Sequence, residues 1–155
     1  MTSSLPELQN WINKVAKETR PQEIYWCNGS DEEYDSLLKN MQDSNDLLKL
    51  NQENYPNCYL HRSNPSDVAR VEHLTFICTE NKDDAGPNNN WMSPKEAHKK
   101  IDKFFDGAMQ GRTMYIIPYC MGPIDSPFSR CGIEITDSPY VVINMRLMTR
   151  IGKDA

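Results

Sequence analysis

A chain of 155 residues, 38% hydrophobic and carrying three Trp, seven Tyr and four Phe, can bury roughly two-thirds of its unfolded surface, which suits one domain. Its net charge of -5 repels phosphate backbones, and with no local basic patch nucleic-acid binding is disfavoured; no run approaches the ~18 apolar residues of a membrane span. The five cysteines (Cys27, Cys58, Cys78, Cys120, Cys131) are odd in number and form no C-x-x-C pair. Together with a polar N-terminus carrying Glu7, they argue for reduced thiols in the cytoplasm rather than a disulfide framework.

Three helix starts share one device. Ser4-Leu5-Pro6-Glu7, Ser30-Asp31-Glu32-Glu33 and Ser93-Pro94-Lys95-Glu96 read as capping boxes, in which Ser accepts from an early backbone N–H and Glu reaches back to the cap. Apolar stripes follow each: Leu5, Leu8, Ile12, Val15; Tyr34, Leu37, Leu38, Met41; Ala97, Ile101, Phe104, Phe105. A shorter helical piece is expected over 46–50. Strands are expected over 74–79 (LTFICT), 113–118 (TMYIIP), 132–136 (GIEIT) and 140–148 (YVVINMRLM), the last from its alternation. The string NKDDAGPNNN over 81–90 has no periodicity and reads as an exposed loop. Helices first, then strands with one helix inserted, predict a mixed α/β, α+β-like domain: a helical lead-in followed by a mixed sheet with flanking helices. A sheet ending on so apolar a strand leaves an edge that natural proteins cover, so the domain is expected to be truncated at its C-terminal end.

Chemistry concentrates over 59–72 (YLHRSNPSDVARVE). Arg62, Asp67, Arg70 and Glu72 surround an Asn-Pro turn at the mouth of an expected strand, where a scaffold can hold charges within reach of ligand. The planar fork of arginine binds carboxylate or phosphate through paired hydrogen bonds and keeps its charge. The same residues also fit a local Asp67–Arg70 ion pair capping a turn. The segment 109–130 could bring Gly111-Arg112 and Gly122-Pro123 close to a ligand, but reads better as packing, with Met114, Met121 and Phe128 filling the core. No GxxxxGK[ST] loop and no GxSxG turn occurs, and Cys58-x-x-His61 lacks the further ligands of a zinc site. No metal or cofactor site is expected in the chain itself.

The two segments lie within an ordered set of strings: Asp-Val-Ala-Arg-Val-Glu (67–72), Trp-Met-Ser (91–93), Met-Gln-Gly-Arg-Thr-Met-Tyr (109–115), Met-Gly-Pro (121–123), Ser-Pro (126–127) and Thr-Asp-Ser-Pro-Tyr-Val-Val (136–142) running into Met-Arg-Leu-Met-Thr-Arg. On these, residues 57–152 closely resemble the N-terminal region of GTP-dependent phosphoenolpyruvate carboxykinase, with 1–56 a variable helical lead-in; the ATP-using carboxykinases lack these strings. The resemblance implies a lyase of gluconeogenesis, a decarboxylase that converts oxaloacetate and GTP to phosphoenolpyruvate, CO2 and GDP. By that resemblance Arg70 binds the substrate carboxylate and Glu72 belongs to the same loop, meeting a lid. Mn2+ (or Mg2+), GTP and the lid would all belong to an absent C-terminal part of a monomeric parent enzyme. Residues 1–155 would then be an N-terminal, oxaloacetate- or phosphoenolpyruvate-binding piece, inactive alone. Two alternatives stand beside this: a stand-alone, non-catalytic module binding a small dicarboxylate or phosphoenolpyruvate through Arg70, and an interaction protein pairing through its last strand.

Overall fold

In the computed structural model, which describes residues 5–63, 65 and 71–155 (Asp154 by its backbone alone), the chain builds a mixed sheet between helices. The serine half of two capping boxes forms: Ser30 accepts from the Glu33 N–H and opens helix α2 (Asp31–Asp43), and Ser93 accepts from the Glu96 N–H and opens a further helix, Pro94–Phe105. The glutamate half differs, Glu33 accepting from the Asn28 and Gly29 N–H groups and Glu96 from the Ser93 hydroxyl. The first helix, α1 (Pro6–Thr19), starts from Leu5 with Pro6 in its first turn; Ser4 lies outside the described residues. Numbered in chain order with strands, Pro94–Phe105 is α3 and Pro139–Met148 is α4.

The sheet is organised around the long strand β6 (Thr113–Met121). Along one edge it pairs in parallel with β1 (Glu23–Trp26), Glu23 opposite Thr113, and further along with antiparallel β8 (Arg150–Ile151), Tyr119 opposite Ile151. Its other edge carries antiparallel β7 (Arg130–Thr136), from Tyr115 opposite Thr136 to Met121 opposite Arg130. Alternate β6 residues face two cores. Met114 and Ile116 pack with Ile12 of α1. Ile117 packs with Leu37, Leu38 and Met41 of α2 and Val142 and Ile143 of α4. Two small ladders lie outside this sheet: antiparallel β2 (Leu47–Lys49) with β3 (Tyr59–His61), and parallel β4 (Phe76–Ile77) with β5 (Asn90–Trp91).

Mixed α/β architecture with a leading helix is what the sequence predicts; several elements differ. Residues 140–148 form helix α4, not a strand. Pro139 sits in its first turn, and because both phases of the supposed alternation are apolar the run fits a buried helix as readily. Burial of Val142 and Ile143 against α2 settles it. The exposed apolar edge inferred from that strand therefore does not exist. Residues 46–50 contain strand β2 rather than a helix, because β3 supplies a pairing partner from beyond the Asn-rich turn. Over 74–79 only Phe76–Ile77 is strand, preceded by a 3-10 turn at Glu72–Leu74. The 81–90 loop holds a 3-10 turn, Lys82–Ala85, that buries Ala85. Along α3 only Ala97 is buried, while Ile101, Phe104 and Phe105 remain exposed. Among the described residues no helix is long and apolar enough to cross a membrane.

Candidate functional site

The segment that concentrates charge is fixed at both feet. Upstream, His61 ends β3 opposite Leu47. Its Nδ1 lies 2.8 Å from the Asp46 carbonyl oxygen; a carbonyl can only accept, so Nδ1 carries the proton. The His61 ring stacks on Tyr140 of α4, centroids 4.0 Å apart and planes at 23°. The next residue, Arg62, is exposed.

Downstream, the Val71 carbonyl accepts from the Leu74 N–H at 3.1 Å and from the Thr75 hydroxyl at 2.8 Å. The Glu72 carbonyl accepts from the Thr75 N–H at 3.1 Å and from Asn90 Nδ2 at 2.9 Å, and the same Asn90 amide donates to the Thr75 carbonyl at 3.2 Å. One side chain thus clamps both ends of the turn. Trp91 secures the far side of the ladder, its Nε1–H reaching the Thr79 carbonyl and hydroxyl at 3.1 Å each. The Asn-rich loop, for which the sequence offers no role, is built by its own amides. Asn81 Oδ1 accepts from the Asp83 N–H at 3.1 Å, and Asn89 Nδ2 donates to the Ala85 carbonyl at 2.7 Å.

Of the residues singled out from sequence, Arg70 and Asp67 lie outside the described residues. Glu72 opens the 3-10 turn with its side chain exposed. In the 109–130 segment Met114 is fully buried, as packing requires, but Met121 and Phe128 are exposed, at 57% and 85%, because they sit at the end of β6 and in the turn beyond it. Arg112 is committed to structure, pairing with Asp137 at 2.6 Å.

A second constellation escaped sequence reasoning. Arg146 of α4 donates to the carbonyls of Gly29 and Ser30 and to Asp31 Oδ1, with its guanidinium 5.1 Å from the centre of the Tyr34 ring. Buried Glu33 accepts from the N–H groups of Asn28 at 2.7 Å and Gly29 at 3.1 Å. Burial first, and then the negative field of Glu33, pushes the Cys27 thiol up to about 12 and the Tyr25 hydroxyl likewise to about 12. Glu33 was visible as the last residue of its capping box; nothing local marks Arg146, whose partners lie more than a hundred positions earlier.

These groups serve the joint between α2 and α4. Among the described residues no three His, Cys, Asp or Glu side chains gather as a metal site.

Comparison with known proteins bears on the same segment. Residues 10–155 match the phosphoenolpyruvate carboxykinase N-terminal domain. Proteins named phosphoenolpyruvate carboxykinase (GTP) from Anaeromyxobacter dehalogenans (strain 2CP-C) and from Chlamydia pneumoniae are each 54% identical, over 99% and 95% of this chain. One from Corynebacterium jeikeium (strain K411) is 51% identical over 96%. The matched regions are 26%, 24% and 25% of those proteins, so the chain spans about a quarter of the length of these curated relatives. With a family match over residues 10–155 and identity above half in proteins of one name, the chain belongs to the phosphoenolpyruvate carboxykinase N-terminal domain family, in its GTP-dependent class.

Proposed function

We propose that the chain supplies one wall of the substrate site of a GTP-dependent phosphoenolpyruvate carboxykinase, with Arg70 gripping a carboxylate of oxaloacetate or phosphoenolpyruvate. What carries the reading is that relatives bearing this name match 95–99% of the chain at 54% identity. The described residues on either side are consistent with it: His61 stacks on Tyr140, and Asn90 holds the Glu72 and Thr75 carbonyls. Arginine suits the post because its fork matches a carboxylate and stays charged throughout turnover. Glu72, two residues beyond Arg70, carries the acidic charge of the same segment and meets a lid on closure.

The metal and nucleotide chemistry, phosphoryl transfer from GTP included, belongs in this reading to the remaining three-quarters of the longer protein, and the isolated chain is inactive. Its partners are then that remainder and the small acid substrate, in the cytoplasm. The test is the full-length enzyme carrying Arg70→Ala, assayed for GTP-dependent conversion of oxaloacetate. A KM for oxaloacetate raised with KM for GTP unchanged supports the assignment; parallel losses for both, or none, would remove Arg70 from the site. Turnover by the chain alone would overturn the division of labour, and substrate binding without any parent activity would favour the stand-alone module.

A further inference from the structure

The pairing of β6 with β7 sets Cys120 directly opposite Cys131. Opposed residues on antiparallel neighbours point to the same face with Cα atoms about 4.5–5.5 Å apart, inside the roughly 4.4–6.8 Å over which a disulfide closes. The two thiols differ in access: Cys120 is 3% exposed and Cys131 is open to solvent. On the same face the α1 cluster takes in Met114, Ile116, Ile133 and Ile135 and includes neither cysteine. The other three cysteines are placed elsewhere: Cys27 in the opposite core, Cys58 just before β3, Cys78 just after β4.

We propose that Cys120 and Cys131 are a reversible cross-strand dithiol, oxidised by a small-molecule disulfide, with Cys131 attacking and Cys120 resolving. The Cys131 thiolate, its proton lost to solvent, attacks one sulfur of the small disulfide and expels the other as a thiolate. Cys120 then loses its proton and attacks the Cys131 sulfur, closing the protein disulfide and releasing the second small thiol. Two protein thiols are oxidised and one small disulfide is reduced to two thiols. A hydrogen bond with Cys120 pushes the Cys131 thiol above its ordinary range, so its thiolate is scarce at neutral pH and exchange is slow until the pH or the disulfide pool rises. In a reducing compartment the pair rests as free thiols. Once closed, the link pins the base of the turn between the two strands, where Asp125 adopts a positive φ of 67°.

The experiment incubates the reduced, full-length polypeptide with oxidised glutathione over a rising pH series, blocks remaining thiols with iodoacetamide, and maps the peptides. Expected is one intrachain Cys120–Cys131 link, lighter by two hydrogens, forming faster as pH rises, with Cys27, Cys58 and Cys78 all alkylated. Cys120→Ser should trap a lasting glutathione adduct on Cys131, and Cys131→Ser, at an exposed position that folding tolerates, should leave Cys120 reduced. An upward shift of the urea midpoint on oxidation should appear in the wild type and vanish in Cys131→Ser. A wild-type adduct on Cys131 that never advances, a link between two copies through Cys131, or prior oxidation of Cys58 or Cys78 would each overturn the proposal.

Discussion

Gly29 and Gly152 cross backbone against backbone. A Cβ on Gly29 would lie 2.3 Å from the Ile151 carbonyl oxygen, and one on Gly152 would lie 2.0 Å from the Asn28 carbonyl oxygen. Both adopt positive φ, 74° and 81°, so any side chain there meets strain and an immovable main chain at once. Gly29→Ala and Gly152→Ala should each cost at least ~3 kcal/mol, summing left-handed strain and overpacking, read from urea midpoints. Gly111→Ala is the control: φ is 73° but nothing lies within 4 Å, so only the ~1–2 kcal/mol of backbone strain applies. Equal losses at all three would show that the crossing is not tight.

Arg146 holds the same joint from the side. Lysine keeps the charge but cannot present a fork to the Gly29 and Ser30 carbonyls while lying over Tyr34. Arg146→Lys should lower stability by ~1–2 kcal/mol. Asp31→Ala should cost less than ~1 kcal/mol, because the Asp31 side chain is 87% exposed and its ion pair is screened. Thermal or urea unfolding of the two variants decides the order.

The raised Cys27 thiol predicts an alkaline weakness. Below its ordinary value of 9.0 the thiol is protonated both folded and unfolded, and it contributes no pH dependence. Between 9.0 and about 12 the unfolded chain loses the proton while the folded chain keeps it, so stability falls as pH rises, by up to about 4 kcal/mol across the window. Tyr25, pushed up from 10.0 in the same direction, adds a smaller loss because it is only half-buried. Cys27→Ser removes the first titration; its denaturation midpoint should fall less steeply above pH 9.0 than that of the wild type. Identical slopes would refute the burial argument.

Under the proposed function, Arg70→Ala in the full-length enzyme loses a charge-assisted bidentate contact. That contact corresponds to ~1.5–3 kcal/mol, or about a 10–100-fold loss in kcat/KM for oxaloacetate. Arg70→Lys should recover only part of it, since a point charge replaces the fork.

Asn90→Ala removes both donors from the turn that follows Arg70. Global stability should drop by only ~1 kcal/mol, while amide hydrogen exchange at Leu74 and Thr75 speeds up selectively. In the active enzyme the same variant should raise KM for oxaloacetate more than it changes KM for GTP. Unchanged exchange at Thr75 would show that the clamp is idle.

Legibility followed the range over which information is local. Ser30 with Glu33, and Ser93 with Glu96, are three residues apart and make the serine-to-N–H half of the bonds their spacing announces. The strands at 113–121 and 130–136 were recognisable from β-branched runs next to turn residues, though each proved longer than expected. Where the answer depended on a distant partner, the reading failed. β1 has four residues and needs β6, β2 needs β3, and α4 is decided by burial against α2. The Ser138-Pro139 pair repeats the Ser93-Pro94 start and could have marked α4, had β-branched residues not outweighed it. At the site, the arginine-bearing segment was legible as a concentration of charge, but its clamp was not: Asn90 sits eighteen positions beyond Glu72, inside a stretch that looks featureless.

The sharing of one β6 edge by β1 and β8 bears on how the chain comes to be folded during synthesis. β1 can zip onto the first half of β6 as soon as that strand leaves the ribosome, and β7 follows at once through a local hairpin. The second half of the edge waits for Arg150–Ile151, and Gly29 waits with it for its glycine counterpart. The joint between α2 and α4 is therefore a closure of high contact order, its Arg146 bonds spanning 117 and 116 positions, and such contacts slow folding. Until α4 docks, Leu37, Leu38 and Met41 lack the cover of Val142 and Ile143.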